Sequence, residues 1–240
     1  IGPVKAVLQD IDTILSLAEF DPDTADSVFT IAATDYAQTT FLAPLMQLVH
    51  REAPNIRFSI VSTDIRRMPE QFDRQEIDFA VTVPEMSPVN VHAMDLFEDR
   101  YVCAVSPDHP AARNALSLDG FCALDHVLVA PSSDGFFGPT DDALEKLGRR
   151  RRVTVSVPNF LSLPSILGSS DFITVAPERV LLPFANSLHI FSAPLKLPEF
   201  RVIALWHELS VRSPAHSWLR DKMTEIAAAI DAPDLVEVTI

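Results

Sequence analysis

The sequence predicts an α/β protein with two lobes, and two observations lead to this prediction. First, apolar runs typical of strands alternate with helical spacing along most of the 240 residues. A strand–helix–strand order favours parallel strands joined by right-handed crossovers. Second, the net charge of −14 is uneven, because residues 103–201 carry 9 basic and 10 acidic side chains while the rest carries 10 and 23. This break indicates that the middle of the chain forms one lobe and its two ends form the other.

The first lobe is predicted from three strands with helices between them. The strands are 28–33, 56–61 and 77–83, and the helices are 41–49 and 65–75. Thr34 and Asp35 follow the first strand, where such side chains cap a helix. Pro44 falls in the first turns of its helix, where proline is tolerated. The extended run 94–105 then leaves this lobe.

The second lobe repeats the alternation. Its predicted strands are 126–130, 152–157, 172–175 and 188–191, and its predicted helices are 140–147, 160–167 and 177–182. The apolar strand 200–206 returns to the first lobe, and the amphipathic helix 214–230 closes it. We therefore expect lobe I to comprise 26–102 and 202–232, and lobe II to comprise 103–201.

The first 20 residues show an apolar stripe with heptad spacing. Its members are Ile1, Val4, Leu8, Ile11, Leu15 and Ala18. Positions a and d of a coiled coil repeat in this way, so one interpretation is the end of a dimerising helix in a fragment of a longer chain. The alternative is an ordinary amphipathic helix that packs on its own domain.

Composition and motifs exclude several classes of protein. No run of apolar residues is long enough to span a membrane, and the acidic balance disfavours direct binding to nucleic acid. Cys103 and Cys122 show neither disulfide nor zinc spacing, which favours a cytoplasmic protein with free thiols. Neither GxSxG, HExxH, GxGxxG nor a P-loop occurs, so we expect no enzyme activity, no metal and no cofactor.

An ordered set of segments resembles the effector-binding region of LysR-type transcriptional regulators. The segments are 30–35 leading into Phe41-Leu42-Ala43-Pro44-Leu45, then 77–81, 105–110 and 172–177. Val157-Pro158-Asn159-Phe160 and Leu205-Trp206-His207 are similar to the branch that contains regulators of nodulation and of aromatic degradation. The resemblance covers roughly residues 20–230.

This resemblance implies the fold and the partners. The fold would be two Rossmann-like lobes joined by two crossover strands, as in type II periplasmic binding proteins, preceded by the end of a linker helix at 1–20. DNA would be bound only through an N-terminal winged helix-turn-helix outside this chain. The effector domains would pair through helix 42–51, giving a dimer of this fragment and a tetramer of the full-length regulator. Two rival functions stay open: a periplasmic solute-binding protein and a small-molecule enzyme.

The effector site is expected beyond the carboxyl ends of the strands, in the cleft between the lobes. The candidate effector-binding residues are Thr34, Asp35, Tyr36, Thr63, Ser133, Phe136, Asn159, Phe160 and His207. Aromatic side chains concentrate in these loops, which predicts a small aromatic effector, a carboxylate or a phenol. Asp35 would repel an anion unless it caps the helix.

Two other polar features each have two interpretations. The arginine run 149–152 is either a nucleic-acid patch or, as we favour, a solvated surface paired with nearby acids. His207 and Glu208 are either an acid–base pair or, as we favour, a hydrogen-bonded histidine and its neighbour.

Overall fold

The computed structural model describes residues 20–131 and 135–231. The strands are β1 Val28–Ala33, β2 Arg57–Val61, β3 Phe79–Thr82, β4 Val91–Asp99, β5 Tyr101–Val105, β6 Asp125–Val129, β7 Arg152–Val157, β8 Ile173–Pro177, β9 His189–Phe191 and β10 Phe200–His207. The helices are α1 Asp35–Ala37, α2 Ala43–Glu52, α3 Met68–Asp73, α4 Leu118–Ala123, α5 Pro139–Lys146, α6 Leu163–Leu167, α7 Glu178–Leu181 and α8 Pro214–Asp231. The predicted linker helix at 1–20 falls almost entirely outside the described residues.

The chain divides into two compact units. Among the described residues, unit 1 comprises 20–33, Phe41–Phe97 and 201–231, and unit 2 comprises Thr34–Thr40 and Glu98–Phe200. Strands β4 and β10 each contribute residues to both units, and the chain also passes between the units on either side of Thr34–Thr40. The sequence prediction placed 34–40 and 98–102 in lobe I, whereas the chain's contacts place them in unit 2.

Unit 1 is built on a five-stranded sheet with the order β2-β1-β3-β10-β4. Strand β1 runs parallel to β2 and β3, with Phe29 opposite Phe58 and Ile31 opposite Phe79, which confirms the predicted parallel pairing. Strand β10 is antiparallel to β3. Every residue of β3 is buried, as expected for a strand covered on both faces.

Helical structure begins at Asp35 and continues to Glu52, earlier than the predicted start at 41. A π-helical turn, Gln38–Leu42, separates α1 from α2. Pro44 explains this turn, because proline cannot donate its i→i−4 hydrogen bond and its ring crowds the carbonyl of Thr40. The Thr40 hydroxyl donates to the Tyr36 carbonyl at 2.7 Å, so a side chain satisfies this backbone acceptor within the irregular turn.

Unit 2 contains a second five-stranded sheet with the order β7-β6-β8-β5-β9. Strand β6 is parallel to β7 and β8, while β5 is antiparallel to β8 and β9. The core of this unit includes Phe121, Leu144 and Ile173, all fully buried. Phe121 lies on α4, which the sequence did not predict because this short helix has Gly120 in its middle. Each unit therefore contains one mixed five-stranded sheet.

Candidate functional site

Two predicted site residues begin the helical run that follows β1. Thr34 has extended backbone angles, and its hydroxyl accepts the Ala37 N–H at 3.4 Å, as an N-cap does. The Asp35 carboxylate contributes negative charge to the first turn, where the helix dipole favours it. The predicted turn and cap at 34–35 are confirmed.

Asp35 also joins this turn to a loop far away in the sequence. Its Oδ2 accepts the backbone N–H of Leu161 at 2.8 Å, across 126 residues of chain. The ring of Tyr36 packs on that of Phe160, with 5.8 Å between centroids. Four of the predicted residues, Thr34, Asp35, Tyr36 and Phe160, are thus brought together within unit 2.

Tyr36 is fixed by a buried carboxylate that the sequence analysis did not single out. The Tyr36 hydroxyl donates to Asp99 Oδ2 at 2.8 Å, and both residues are 6% exposed. Burial, reinforced by the charge of Asp99 and this hydrogen bond, raises the pKa of Tyr36. Burial also raises the pKa of Asp99. The only sequence signal for Asp99 is an acid at the end of a mostly apolar extended run.

Residues 135–137 are tied to β7, the strand that leads into the turn carrying Phe160. The Ser156 hydroxyl donates to the Gly135 carbonyl at 2.9 Å, which connects the 135–137 segment to the end of β7. Phe136 and Phe137 are each 58% exposed, an unusual degree for phenylalanine. Asn159 is exposed, and its side chain makes no capping hydrogen bond to the turn that follows. We call residues 34–36, 135–137 and 159–161 the unit-2 loop cluster.

The remaining predicted residues are not part of this cluster. Ser133 lies outside the described residues. Thr63 belongs to unit 1, and its buried hydroxyl has no hydrogen-bond partner among the described residues. His207 also belongs to unit 1, where its Nδ1 accepts the Leu209 N–H at 3.2 Å and its Nε2 lies 3.5 Å from Asp73 Oδ1.

Glu208 does not form an acid–base pair with its neighbour. Its carboxylate instead contacts His92, whose ring stacks on Trp206 with 5.7 Å between centroids. His207 is therefore a hydrogen-bonded histidine at the end of β10, which is the interpretation that we favoured from the sequence.

The arginine run differs from the predicted solvated surface at one position. The Arg151 side chain is only 1% exposed and pairs with Asp141 at 2.8 Å, whereas Arg149 and Arg152 form exposed pairs with acids. Arg151 Nη1 lies 3.4 Å from His126 Nδ1. Burial lowers the pKa of His126 to about 4, so this imidazole is neutral and its Nε2 donates to the Phe121 carbonyl. Unit 2 thus contains a buried network formed by Asp141, Arg151 and His126.

Metal-ligating side chains do not cluster among the described residues. Across 20–131 and 135–231, no group of three or more His, Cys, Asp or Glu side chains could hold a metal ion. Burial raises the pKa of the Cys103 thiol to about 12, and burial also raises that of Cys122. Both thiols are free and neutral at physiological pH.

Two α/β units with mixed five-stranded sheets, and a polar and aromatic loop cluster, define a ligand-sensing domain of the type II periplasmic-binding-protein class. Residues 23–228 match the family described as the LysR substrate binding domain. The chain belongs to this family.

Similar proteins agree with this assignment. The HTH-type transcriptional activator NagR of Ralstonia sp is 33% identical over 230 residues, which are 93% of this chain and 75% of NagR. Nodulation protein D 3 of Rhizobium leguminosarum bv. phaseoli is 28% identical over 95% of this chain and 76% of its own length. The crystal structure of the probable transcriptional regulator PA0477 from Pseudomonas aeruginosa superposes with a TM-score of 0.81 at 30% identity, covering 93% of this chain and 74% of that one.

The predicted family, fold class and regulatory role are confirmed by these findings. The chain is an effector-binding regulatory domain of a LysR-type transcriptional regulator, and the similar proteins give no support to the transport alternative. Within the described part of the chain, no helix is both long and apolar enough to cross a bilayer.

Proposed function

We propose that the effector is a small aromatic molecule with a hydrogen-bond donor, such as a phenol, and that it binds at the unit-2 loop cluster. The observation that supports this proposal most is the link between Asp35 and Leu161 at 2.8 Å. It brings a carboxylate to the turn that carries the exposed Asn159 amide and the Phe160 ring, and Phe136 and Phe137 lie in the same unit. Such a combination of flat apolar contacts and a few polar groups is what small-molecule sites use.

The aromatic residues of the cluster have different roles in this proposal. Phe136 and Phe137 present exposed rings for stacking, whereas Tyr36 is buried and supports Phe160 from behind. Asn159 supplies an exposed amide that both donates and accepts. Ser133, Thr63 and His207, which the sequence also singled out, stay predictions as effector-binding residues.

The charge of Asp35 selects between the predicted ligand classes. A carboxylate repels an anionic effector and accepts a hydrogen bond from a hydroxyl. The Leu161 N–H occupies one acceptor site of Oδ2, and a carboxylate has about four such sites in all. A phenol therefore fits the cluster better than a benzoate does.

Effector binding would act by a population shift. A ligand whose contacts are complete in one conformation increases the share of that conformation by its difference in affinity. We propose that a second copy of the chain receives this change through the exposed side of α2, which carries Gln47, His50 and Arg51. We further propose a dimer of this fragment, a tetramer of the full-length regulator, and a cytoplasmic protein with no enzymatic activity.

DNA contact in this proposal belongs to a part of the regulator other than these residues. The net charge of −14 opposes a phosphate backbone. The 240-residue chain should show no operator affinity at physiological salt in an electrophoretic mobility assay. Tight binding that resists salt would contradict this part of the proposal.

The ligand proposal is tested with phenol, benzoate, sugars and amino acids as probes, following melting temperature and amide NMR shifts. Phenol should raise the melting temperature and shift the amides at 34–36, 135–137 and 159–161. Phe136→Ala should weaken phenol binding about fivefold, since a lost aromatic contact is worth roughly 1 kcal/mol. Leu182→Ala is the matched control, because Leu182 is 52% exposed in the same unit. Stabilisation by sugars or amino acids alone would refute the proposal.

Asp35→Asn separates the two ligand classes. The amide removes the negative charge and keeps an oxygen that accepts the Leu161 N–H. We expect benzoate binding at the cluster to strengthen and phenol binding to weaken. The opposite order in an NMR titration would show that Asp35 does not contact the effector.

A further inference from the structure

A separate cavity lies in unit 2 at the edge of its sheet. Its volume is about 280 Å³, and it lies between the segment 111–116 and strand β9, the last strand in the sheet order. A water molecule takes up about 30 Å³ in the liquid, so the space is large enough for a ligand of several heavy atoms. None of its lining residues belongs to the unit-2 loop cluster.

Both walls of the cavity are held in place by hydrogen bonds. His109 is 3% exposed, and its Nδ1 accepts the Ala111 N–H at 3.0 Å, which fixes the short 3₁₀ turn Pro110–Ala112. Strand β9 pairs with β5, with Ala104 opposite Ile190. The cavity is therefore formed before any ligand arrives, which lowers the entropy lost on binding.

Part of the cavity's lining is apolar. Ala112, Leu116 and Phe191 line it, and the same three residues pack against the buried core of unit 2. The ring of His189 also lines the cavity and lies 5.4 Å from that of Phe191, at an angle of 32°. A lining of this kind suits the hydrocarbon body of a small molecule.

The cavity's lining includes a cation with no partner in the described part of the chain. Among the described residues, the Arg113 guanidinium has no ion pair or side-chain hydrogen bond, although the chain has 33 acidic residues against 19 Lys and Arg. Arg149 and Arg152, which belong to the same unit, both have carboxylate partners. Asn114 adds an amide to the lining. A planar guanidinium beside an apolar lining matches a carboxylate on an apolar body.

We propose that the pocket between residues 111–116 and β9 binds a small monocarboxylic acid, with the carboxylate on Arg113 and the hydrocarbon part over Leu116 and Phe191. The site is independent of the proposed effector site and takes the opposite charge preference, because it offers a cation where the loop cluster offers Asp35. A second small molecule could thus act on the same regulator without competing for the first site.

The test is an amide NMR titration of the 240-residue chain with benzoate, using benzyl alcohol and sulfate as the comparison probes. Benzoate should shift the amides of 111–116 and 189–191, with a dissociation constant in the millimolar range or below. Benzyl alcohol and sulfate should each bind there more weakly, because each supplies only half of the contacts. Arg113→Gln should weaken benzoate binding about tenfold, as expected for loss of one charge-assisted contact.

Two further variants make the result specific. Arg150→Gln removes an exposed arginine of the same unit that does not line the pocket, and it should leave benzoate binding unchanged. Ala115→Trp places a bulky side chain at an exposed position of the lining and should abolish binding in a folded protein. Phe136→Ala removes a ring of the proposed effector site and should leave benzoate binding at 111–116 unchanged. The two proposals are therefore tested separately. Unshifted amides, or an unchanged affinity in Arg113→Gln, would overturn the proposal.

Discussion

Arg151 and Asp141 form a two-pronged ion pair inside unit 2, with Nε 2.9 Å from Oδ1 and Nη2 2.8 Å from Oδ2. The same carboxylate accepts the Gly138 N–H at 2.9 Å, at the start of α5. One acid thus holds both the first turn of a helix and the arginine that precedes β7. The Arg151 side chain is 1% exposed, so this pair is poorly screened by solvent.

Removing one partner of this pair should be strongly destabilising. We expect Arg151→Met to lower the free energy of unfolding by about 3–5 kcal/mol, because Asp141 is left charged and largely buried. Arg150→Met, at an exposed neighbour, should change it by less than about 0.5 kcal/mol. Urea denaturation measures both. The double variant Arg151→Met with Asp141→Leu should recover much of the loss, and equal losses in single and double variants would argue against an uncompensated charge.

Stability should fall as pH decreases from about 6.5 to about 4, in part because of His126. Burial lowers the pKa of His126 to about 4, below the value of about 6.5 in an unfolded chain. The unfolded state therefore binds the proton first, and stability present above pH 6.5 is lost as the pH falls toward the folded pKa.

His126→Gln isolates this contribution. Its amide can still donate to the Phe121 carbonyl, but it does not titrate. The slope of unfolding free energy against pH between about 4 and 6.5 should be smaller in the variant, by up to about 1.4 kcal/mol per pH unit. Parallel pH profiles for the two proteins would show that His126 is not responsible.

The hydrogen bond from Tyr36 to Asp99 should stabilise unit 2 measurably. Tyr36→Phe removes the donor at 2.8 Å and leaves Asp99 Oδ2 with the longer contact from the Arg179 N–H at 3.4 Å. We expect a loss of about 1.5–3 kcal/mol, the usual range for a hydrogen bond to a charged group. Phe160 should also become more mobile, which aromatic NMR line widths would report. A variant as stable as the original chain would indicate that water replaces the hydroxyl.

Gly148 should be required for its backbone conformation alone. Its φ is +66°, and a Cβ added there would meet no atom within 4 Å. Gly148→Ala should therefore destabilise by about 1 kcal/mol through the left-handed conformation, and Gly148→Asn by less, since asparagine tolerates that region better. Thermal unfolding of both variants gives the comparison. Equal effects would point to a cause other than φ.

Most strands could be predicted because buried strands in an α/β sheet read as continuous apolar runs. The predicted strand 28–33 matches β1, and 152–157 matches β7. Helix ends were less predictable. The helix predicted at 65–75 begins only at Met68, because Asp64 Oδ1 accepts the N–H groups of Arg66 and Arg67 and holds a turn there.

The candidate site could be predicted only in part. The cap at Thr34 is a local signal, since a Thr-Asp pair follows an apolar strand. The contact between Asp35 and Leu161 is made by a backbone amide, which carries no sequence signature at any spacing. Likewise, Tyr36 was expected to face a ligand, whereas its burial against Asp99 depends on tertiary packing. Arg151 sits in a run of four arginines, and its neighbours in sequence gave no indication that it alone is buried.

The position of Cys103 in the middle of β5 has a practical consequence. This thiol is fully buried and its pKa is raised to about 12, so it should resist alkylation and oxidation for as long as unit 2 stays folded. Its rate of labelling then reports how often the strand becomes exposed. The labelling rate of Cys103 can therefore be used to measure opening of the second sheet without an added fluorophore or tag.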